Sequence, residues 1–474
     1  MLIRVLSCTL LVATVAPGGQ SAAWSQAVPA QENSMLTPPP VSVEAYPKEV
    51  GSEVRSNYLR ANVTFSAGYI DNLYAGSGNT VGETTFSIRP TIAFDATSYR
   101  QHTTLLYSPG FTFYQPTSEL NQTDQNLIFD YNFRLTPHGT IAVNDYFEQG
   151  ASSFSASSLE AVSGAAPASG IGIIAPFEQR LTNTVDAQYS LQFSPTNMVG
   201  VSGRLFDLHY PDAAEVPGLY DSNARGGGGF YSHRLTAAQY VGTSYRYSQI
   251  LANPEDVRSE TQTHSIFLFY TIYLKRGLSF SISGGPQEFD SVTSTTSTTS
   301  TSAGIETDPG RQWIHVTSAG LQQTAAAQTQ SQTTSAWSPG VTASMGWQES
   351  HTNFSVNYSR SISAGGGLLG AFESNSASAS ARWQASRTWT LGVRATYSNL
   401  ESVAPFPFLP STAGGHSIGG VTTLDHPLGE HFGVSFEYDR LHQSYAGVAV
   451  TQSNPNSDRG LVSVYWQFAR PLGR

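Results

Sequence analysis

The sequence predicts an all-β protein: a transmembrane, antiparallel, up-and-down β-barrel of about eighteen strands. Three observations predict it. Segments in which every second residue is apolar recur along the chain, as expected of strands with one face on lipid and the other on water. Short turns and long polar loops alternate between these segments, as a chain threaded up and down through a bilayer requires. Only 12% of the residues are charged and 11% are aromatic, which argues against a disordered acidic chain.

Residues 1–27 have the organisation of a secretory signal peptide. Arg4 supplies the positive charge, residues 5–16 form a short apolar run, and Ser25-Gln26-Ala27 is a small-x-small cleavage site. Cleavage after Ala23 is the alternative. The single cysteine of the chain, Cys8, lies inside this segment. We therefore expect a mature chain without disulfides or thiol chemistry.

Residues 28–57 are rich in proline and have no strand pattern, so we interpret them as an extended periplasmic segment. The barrel is assigned to residues 58–471. A net charge of −10 argues against nucleic acid as a partner. No later segment has the roughly 18 uninterrupted apolar residues of a membrane helix, which a β-barrel does not need because its lipid-facing residues occupy alternate positions.

The strands are recognised by their apolar faces. Clear examples are Ala61-Val63-Phe65-Ala67-Tyr69, Leu127-Phe129-Tyr131-Phe133-Leu135, Trp389-Leu391-Val393-Ala395-Tyr397 and Val462-Val464-Trp466-Phe468. In a later strand, Phe267, Phe269 and Tyr273 are assigned to the lipid face.

Asp145 shares a face with Val143 and Phe147, which breaks the pattern. We place Asp145 at the rim of the barrel, where a charge costs little, or else the register there is shifted by one residue.

The connections fall into two classes that alternate without a break. The short turns are placed near 95–100, 136–139, 194–197, 236–237, 275–277, 348–351, 385–387 and 426–430. The long loops are placed at 71–80, 115–122, 151–177, 210–219, 251–259, 290–335, 363–371, 399–415 and 445–457. This alternation gives eighteen strands with short periplasmic turns and long extracellular loops. Sixteen is the alternative, if the segments around Gly226 to Phe230 and Ile418 to Leu424 are not strands.

These features resemble the Gram-negative outer-membrane β-barrel class and, more loosely, the porin-type families described as outer membrane beta-barrel and beta-barrel porin 2. The resemblance covers about residues 58–471. It rests on the signal peptide, the alternation, the loop asymmetry and the aromatic final strand Val464-Tyr465-Trp466-Gln467-Phe468. It implies residence in the outer membrane, contact with outer-membrane lipid and assembly by the barrel-insertion machinery. Such barrels commonly end on an aromatic residue, whereas Phe468 is followed here by Ala469-Arg470-Pro471-Leu472-Gly473-Arg474, which puts the insertion signal in doubt.

The face opposite the apolar one carries the candidate lumen-lining residues. They are Arg60, Arg89, Asp130, Arg134, Asp186, Arg204, Arg246, Arg382, Arg394, Glu437 and Asp439. A barrel of 16–18 strands is wide enough for an aqueous channel. Charges stay hydrated there, whereas an arginine on the lipid face would cost roughly 2–4 kcal/mol at the bilayer midplane. Two interpretations stay open: the arginines favour the passage of anions, or they pair with acids on neighbouring strands and hold the wall together.

We expect no catalytic, cofactor or metal site. The eleven histidines are scattered without metal-ligand spacing, and Gly226 to Gly229 lack the Gly-Lys-Ser/Thr of a phosphate loop. The expected function is a porin-like passive channel for small hydrophilic solutes. One alternative is the outer-membrane component of a polysaccharide export or secretion pathway, with a periplasmic partner at the N-terminal segment. Another is a structural barrel without open-channel activity, and a rim hydrolase is the third. The sequence leaves the oligomeric state open.

Overall fold

Eleven stretches of the chain are described in the computed structural model. They are residues 57–73, 80–150, 179–211, 220–252, 257–275, 277–299, 326–349, 351–365, 368–403, 414–446 and 456–471. The signal-peptide and proline-rich assignments therefore lie outside the described residues. None of the helical structure in these stretches is long and apolar enough to cross a membrane.

Eighteen strands make up nearly all of the described chain. They are β1 Tyr58–Ile70, β2 Glu83–Thr97, β3 Gln101–Gln115, β4 Gln122–Thr136, β5 Gly139–Gly150, β6 Arg180–Ser194, β7 Asn197–His209, β8 Ser222–Thr236, β9 Gln239–Ala252, β10 Val257–Lys275, β11 Leu278–Thr299, β12 Ala326–Gln348, β13 Thr352–Gly365, β14 Leu368–Gln384, β15 Thr390–Ser402, β16 Gly414–Pro427, β17 Phe432–Ala446 and β18 Asn456–Pro471. One turn of 3₁₀-helix, Ser118–Leu120, lies between β3 and β4.

The sheet closes on itself. Each strand pairs antiparallel with the next one along the chain, and β1 pairs with both β2 and β18. Tyr58 lies opposite Asp95 on one side and Pro471 on the other. Closure gives every strand a hydrogen-bonded neighbour on both sides, as a sheet that spans a bilayer requires. The prediction of an eighteen-stranded up-and-down barrel is confirmed, and the two glycine-rich segments form β8 and β16.

The apolar residues at alternate positions form the outer surface. On β1, Phe65 and Tyr69 are more than half exposed, whereas Thr64 and Ser66 on the opposite face are less accessible. Tryptophans concentrate close to the short turns, forming one of the aromatic girdles typical of membrane barrels. These tryptophans are Trp347, Trp383, Trp389 and Trp466.

The lipid-facing assignment on β10 is wrong for Phe267 and Phe269, whereas Tyr273 is 38% exposed. Ile266 and Leu268 are 55% and 69% exposed, whereas Phe267 and Phe269 are 6% and 3% exposed and point inward. The aromatic rings occupy the space beside glycines of other strands: Phe269 lies against Gly242 of β9, and Phe267 reaches across β11 to Gly340 of β12. Inward aromatic residues fit there because the facing glycine has no side chain. A pattern based on aromatic residues alone therefore selected the wrong face.

Three of the predicted long loops are shorter than expected. The Ser/Thr run that begins at Thr293 continues β11 as far as Thr299, and β12 already begins at Ala326. The connection predicted at 363–371 is reduced to the residues between Gly365 and Leu368, and the one at 251–259 to those between Ala252 and Val257. Threonine is β-branched and fits a strand well, so a polar Ser/Thr segment was mistaken for a loop.

Asp145 is not at the rim. It lies near the middle of β5, opposite Phe129 of β4 and Val185 of β6, which belong to the apolar outer face. The register agrees with its shared face with Val143 and Phe147. A carboxylate therefore lies within the lipid-facing band.

Candidate functional site

The eleven candidate lumen residues lie on the face opposite the exposed apolar side chains. This follows from their positions in the strands, since each alternates with outward-facing residues of its own strand. They come from β1, β2, β4, β6, β7, β9, β14, β15 and β17. That a solute passes along this face stays a prediction. What the structure adds is the partners of these residues.

An ion-pair cluster lies at the junction of β17 and β18. Arg459 lies directly opposite Asp439 and donates from Nε to its Oδ2 at 2.7 Å. The same guanidinium donates from Nη2 to Oε1 of Glu437 at 2.9 Å. Asp439 is 1% exposed, so a charge-assisted hydrogen bond offsets the cost of its burial.

A second ion pair spans three strands. Arg89 of β2 reaches over β3 to Asp124 of β4, where Nη2 and Oδ2 are 4.0 Å apart. Gly110 of β3 lies between them, opposite Asp124. A Cβ atom at Gly110 would lie 3.2 Å from Nε of Arg89, so the missing side chain leaves the space for the guanidinium. Arg89 also interacts electrostatically with Arg459 and Glu437, which links the two clusters.

The charged wall continues through β5 and β6. Arg180 Nη2 lies 3.5 Å from Oε1 of Glu148, and the Tyr146 hydroxyl donates to Oε2 of the same carboxylate at 2.9 Å. The inner wall of β2, β4–β6, β17 and β18 is therefore lined by acids and arginines bound to one another. At these positions the arginines pair with acids and hold the wall together, which is the second of the two interpretations that the sequence left open.

A different arrangement occurs on β6–β9. Arg204 lies opposite Asp186, with Nε 3.5 Å from Oδ1, and Arg246 of β9 interacts electrostatically with both. Between the two arginines, β8 presents Gly226 opposite Arg204 and Gly228 opposite Arg246. This stretch of wall has two guanidiniums and one carboxylate. The two guanidiniums are separated by the glycines of β8, which have no side chains.

The wall of β10 and β11 is uncharged at its described inward positions and is lined mainly by hydroxyls. Thr261 donates to Ser291 at 3.0 Å, and Thr271 and Ser281 are hydrogen-bonded at 2.9 Å. All four side chains are buried, although they face the interior of a wide barrel. Something must therefore cover this wall.

The cover is the end of the β13–β14 hairpin, residues 361–365 and 368–374, which we call the inner hairpin. The β12–β13 ladder stops at the pair Val341–Arg360, and β13 continues without β12. Beyond this point Ile362 and Ala371, on the outward-facing side of β13 and β14, pack against Phe289 on the inward-facing side of β11. The inner hairpin must therefore lie inside the wall formed by β11 and β12.

Contacts across the interior support this placement. β14 touches β9 and β10, and β13 touches β8, although none of these strands is its hydrogen-bonded neighbour. Phe372 is fully buried, and Ser363 and Ser374 are nearly so. The inner hairpin therefore fills the side of the lumen bounded by β8–β12. The ion pairs of β2, β4–β6, β17 and β18 lie on other strands.

Sequence reasoning missed several charged residues of this interior, among them the partners in the ion pairs described above. These partners are Asp124, Glu148, Arg180 and Arg459. Asp124, Arg180 and Arg459 lie within the first few residues of β4, β6 and β18, before the apolar residues by which these strands were recognised, and Glu148 lies near the end of β5. Extending the alternation of each strand into its polar ends would have found them, because every second position there still faces inward.

No described group of three or more His, Cys, Asp or Glu residues is arranged to hold a metal ion. A closed cylinder with an apolar outer band, an aromatic girdle, a charged interior and loops of unequal length on its two ends defines the class. The protein is an outer-membrane β-barrel.

Comparison with known proteins gives distant likenesses. No family model and no curated protein matches the chain. Among solved structures, the ferric-catecholate import receptor Fiu of E. coli K12 is 10% identical, over 86% of this chain and 81% of that one, with a TM-score of 0.40. OccAB4 of Acinetobacter baumannii is 8% identical over 88% and 99%, with a TM-score of 0.37. Pseudomonas aeruginosa OccK2 (OpdF), solved with glucuronate, is 9% identical over 86% and 98%, with a TM-score of 0.36. At these TM-scores the likeness carries no argument about function.

Proposed function

We propose that the barrel is a passive channel for small hydrophilic solutes, narrowed on one side by the inner hairpin. The observation that carries the proposal is the accessibility of the inward-facing charges. The side chains of Arg89 and Arg204 are 29% and 30% exposed, although both face the interior. Water therefore has access to these walls, and a hydrated lumen lets polar solutes pass by diffusion.

The charge balance of the lumen supports mild rather than strong selectivity. Arg459 and Arg180 are bound to acids of adjoining strands, so their charges are largely neutralised within the wall. The group of Arg204, Arg246 and Asp186 has one more cation than anions. We expect this group to add a weak preference for anions.

Planar-bilayer recording tests the proposal. The purified protein, inserted at low concentration in KCl, is expected to give stepwise increases in ion current by itself. The same sample should show β-sheet circular dichroism before insertion, so that a silent membrane cannot be attributed to misfolding. A folded barrel that inserts without producing current would contradict the proposal.

The inner hairpin favours a second candidate function, that of an export outlet which opens only with a partner. The partner would be periplasmic and would contact the N-terminal segment. In that case the barrel alone would be silent, and current would appear when the inner hairpin is released. Outer-membrane lipid on the apolar band and insertion machinery acting on β18 are partners of either function. No enzymatic role is part of the proposal, and a hydrolase assay on the same detergent-solubilised protein checks this point.

A further inference from the structure

Two histidines lie side by side on the outside of the barrel at its extracellular end. His416 is near the start of β16, and His442 is near the end of β17. His416 lies opposite Ser444, and His442 lies opposite Ile418. The two imidazoles are therefore diagonal neighbours on the same face, and their ring centres are 5.4 Å apart.

This separation suits a shared metal ion. A tetrahedral zinc ion binds an imidazole nitrogen at about 2.0–2.1 Å, so two imidazole ring centres on one ion lie about 5 Å apart. The rings of His416 and His442 are tilted by 39° to one another, rather than stacked flat. Two nitrogen atoms can then point toward a common position between the rings.

The neighbourhood fixes one ring and leaves the other available. Nδ1 of His442 is hydrogen-bonded to Oδ1 of Asn456 at 2.8 Å. If Nδ1 carries the proton, Nε2 has a free lone pair, which is the usual way an outer-shell group prepares a metal ligand. Within the described parts of the chain, the ring of His416 contacts His442 and makes no hydrogen bond.

We propose that His416 and His442 bind a divalent transition-metal ion, Cu²⁺ or Zn²⁺, at the extracellular rim. Imidazole is a preferred ligand of both ions, and Cu²⁺ binds a given nitrogen site more tightly. Water completes the coordination, since the described residues offer no group of three or more metal ligands. The site is therefore open and exchangeable, and it acts independently of the channel.

Copper titration of the full-length protein in detergent tests the site. Cu²⁺ is added as CuSO₄. By calorimetry, the wild-type protein is expected to bind one equivalent of Cu²⁺ more than variants that lack the histidine pair. Its electron paramagnetic resonance spectrum should show two nitrogen ligands. His416→Ala and His442→Ala should each remove this equivalent and change the spectrum. Asn456→Ala retains both imidazoles and should weaken binding by about 10–100-fold. ZnCl₂ should compete for the same equivalent.

His209→Ala is the matched control. His209 also lies outward at the extracellular end of a strand, where it is hydrogen-bonded to Asp221, and its loss should leave copper binding unchanged. Circular dichroism and the thermal unfolding of each variant show that the barrel is intact. Equal copper binding by wild type, His416→Ala and His442→Ala, or a spectrum without two nitrogen ligands, would overturn the proposal.

Discussion

Oγ of Ser338, on the inward-facing side of β12, donates to Oε2 of Glu373, on the outward-facing side of β14, at 2.8 Å. The contact joins the inner face of β12 to the outer face of β14. This end of β14 must therefore lie inside the wall to which β12 belongs. Arg360, the last residue of β13 that is paired with β12, also donates from Nη2 to Glu373 at 2.9 Å. Glu373 therefore holds the inner hairpin at the point where it leaves the wall.

Glu373→Ala is expected to enlarge the channel. The substitution removes two hydrogen bonds to a charged group, each worth about 1.5–3 kcal/mol, while the apolar contact of Ile362 with Phe289 is kept. The inner hairpin should then leave its position part of the time. Single-channel recording is expected to show larger or fluctuating conductance. Asp290→Ala, which removes an exposed carboxylate from the outer face of β11, should leave the conductance as it is; equal effects of both variants would contradict the role of Glu373.

Ion selectivity is expected to follow the group on β6–β9. Arg246→Gln removes one of two cations that share Asp186, so the channel should become more selective for cations. Asp186→Asn should shift it toward anions. The reversal potential in a KCl gradient measures both changes, which must have opposite signs. Arg258→Gln, an exposed arginine at the start of β10, is the control and should shift the potential little. Shifts of the same sign in the first two variants would rule out this electrostatic explanation.

The sequence was sufficient for the fold because its strongest signal is the alternation that a lipid-facing wall imposes. Phe65 and Tyr69 had to face lipid, and the register confirms that they face outward. The alternation failed on β10, where Phe267 and Phe269 are inside. Their position depends on Gly340 and Gly242 of other strands, and no local pattern records such a contact.

The interior was only partly predictable for a related reason. Alternation placed Arg89 on the inner face, but its partner Asp124 lies two strands away and is reached only over Gly110. The inner hairpin was hidden altogether, because a strand that leaves the wall has the same alternation as one that stays in it. Its position is determined by the packing of Ile362 on Phe289, which depends on distant parts of the chain.

Site-directed spin labelling tests the corrected face of β10. Cys8 is the single cysteine of the chain, so Leu268→Cys and Thr271→Cys each introduce a specific label once the signal segment is removed. A label at position 268 should be accessible to oxygen dissolved in lipid and protected from a water-soluble nickel reagent. A label at position 271 should be less accessible to oxygen than the label at position 268, because Thr271 faces inward and is buried. If the label at position 271 were instead the more accessible to oxygen, Phe267 and Phe269 would face lipid, and the correction would be wrong.

Gly340→Ala is expected to destabilise the barrel by about 1–3 kcal/mol, as overpacking does. The new Cβ atom would lie 2.6 Å from the ring of Phe267 and 2.7 Å from the side chain of Gln287. Both contacts are with side chains, so a second substitution can relieve them. In a Phe267→Leu background the cost should therefore fall, and a double-mutant cycle measures this coupling. Urea unfolding in lipid vesicles gives the free energies. Gly460→Ala, whose Cβ would meet nothing within 4 Å, should be nearly neutral; additive effects of the first two changes would contradict the packing of Phe267 on Gly340.

Asp145→Leu is expected to stabilise the barrel. The carboxylate lies between Phe129 and Val185 on the lipid-facing side, where a charged acid costs less than the 2–4 kcal/mol of a basic residue, so the gain should be about 1–2 kcal/mol. Asp130→Leu makes the same change one strand away on the inward face, where it removes a hydrated polar group and should give no gain. Urea unfolding of both variants in vesicles separates the two faces. A loss of stability in Asp145→Leu would mean that its carboxylate binds a partner within the membrane, and equal gains at both positions would contradict the assignment of opposite faces.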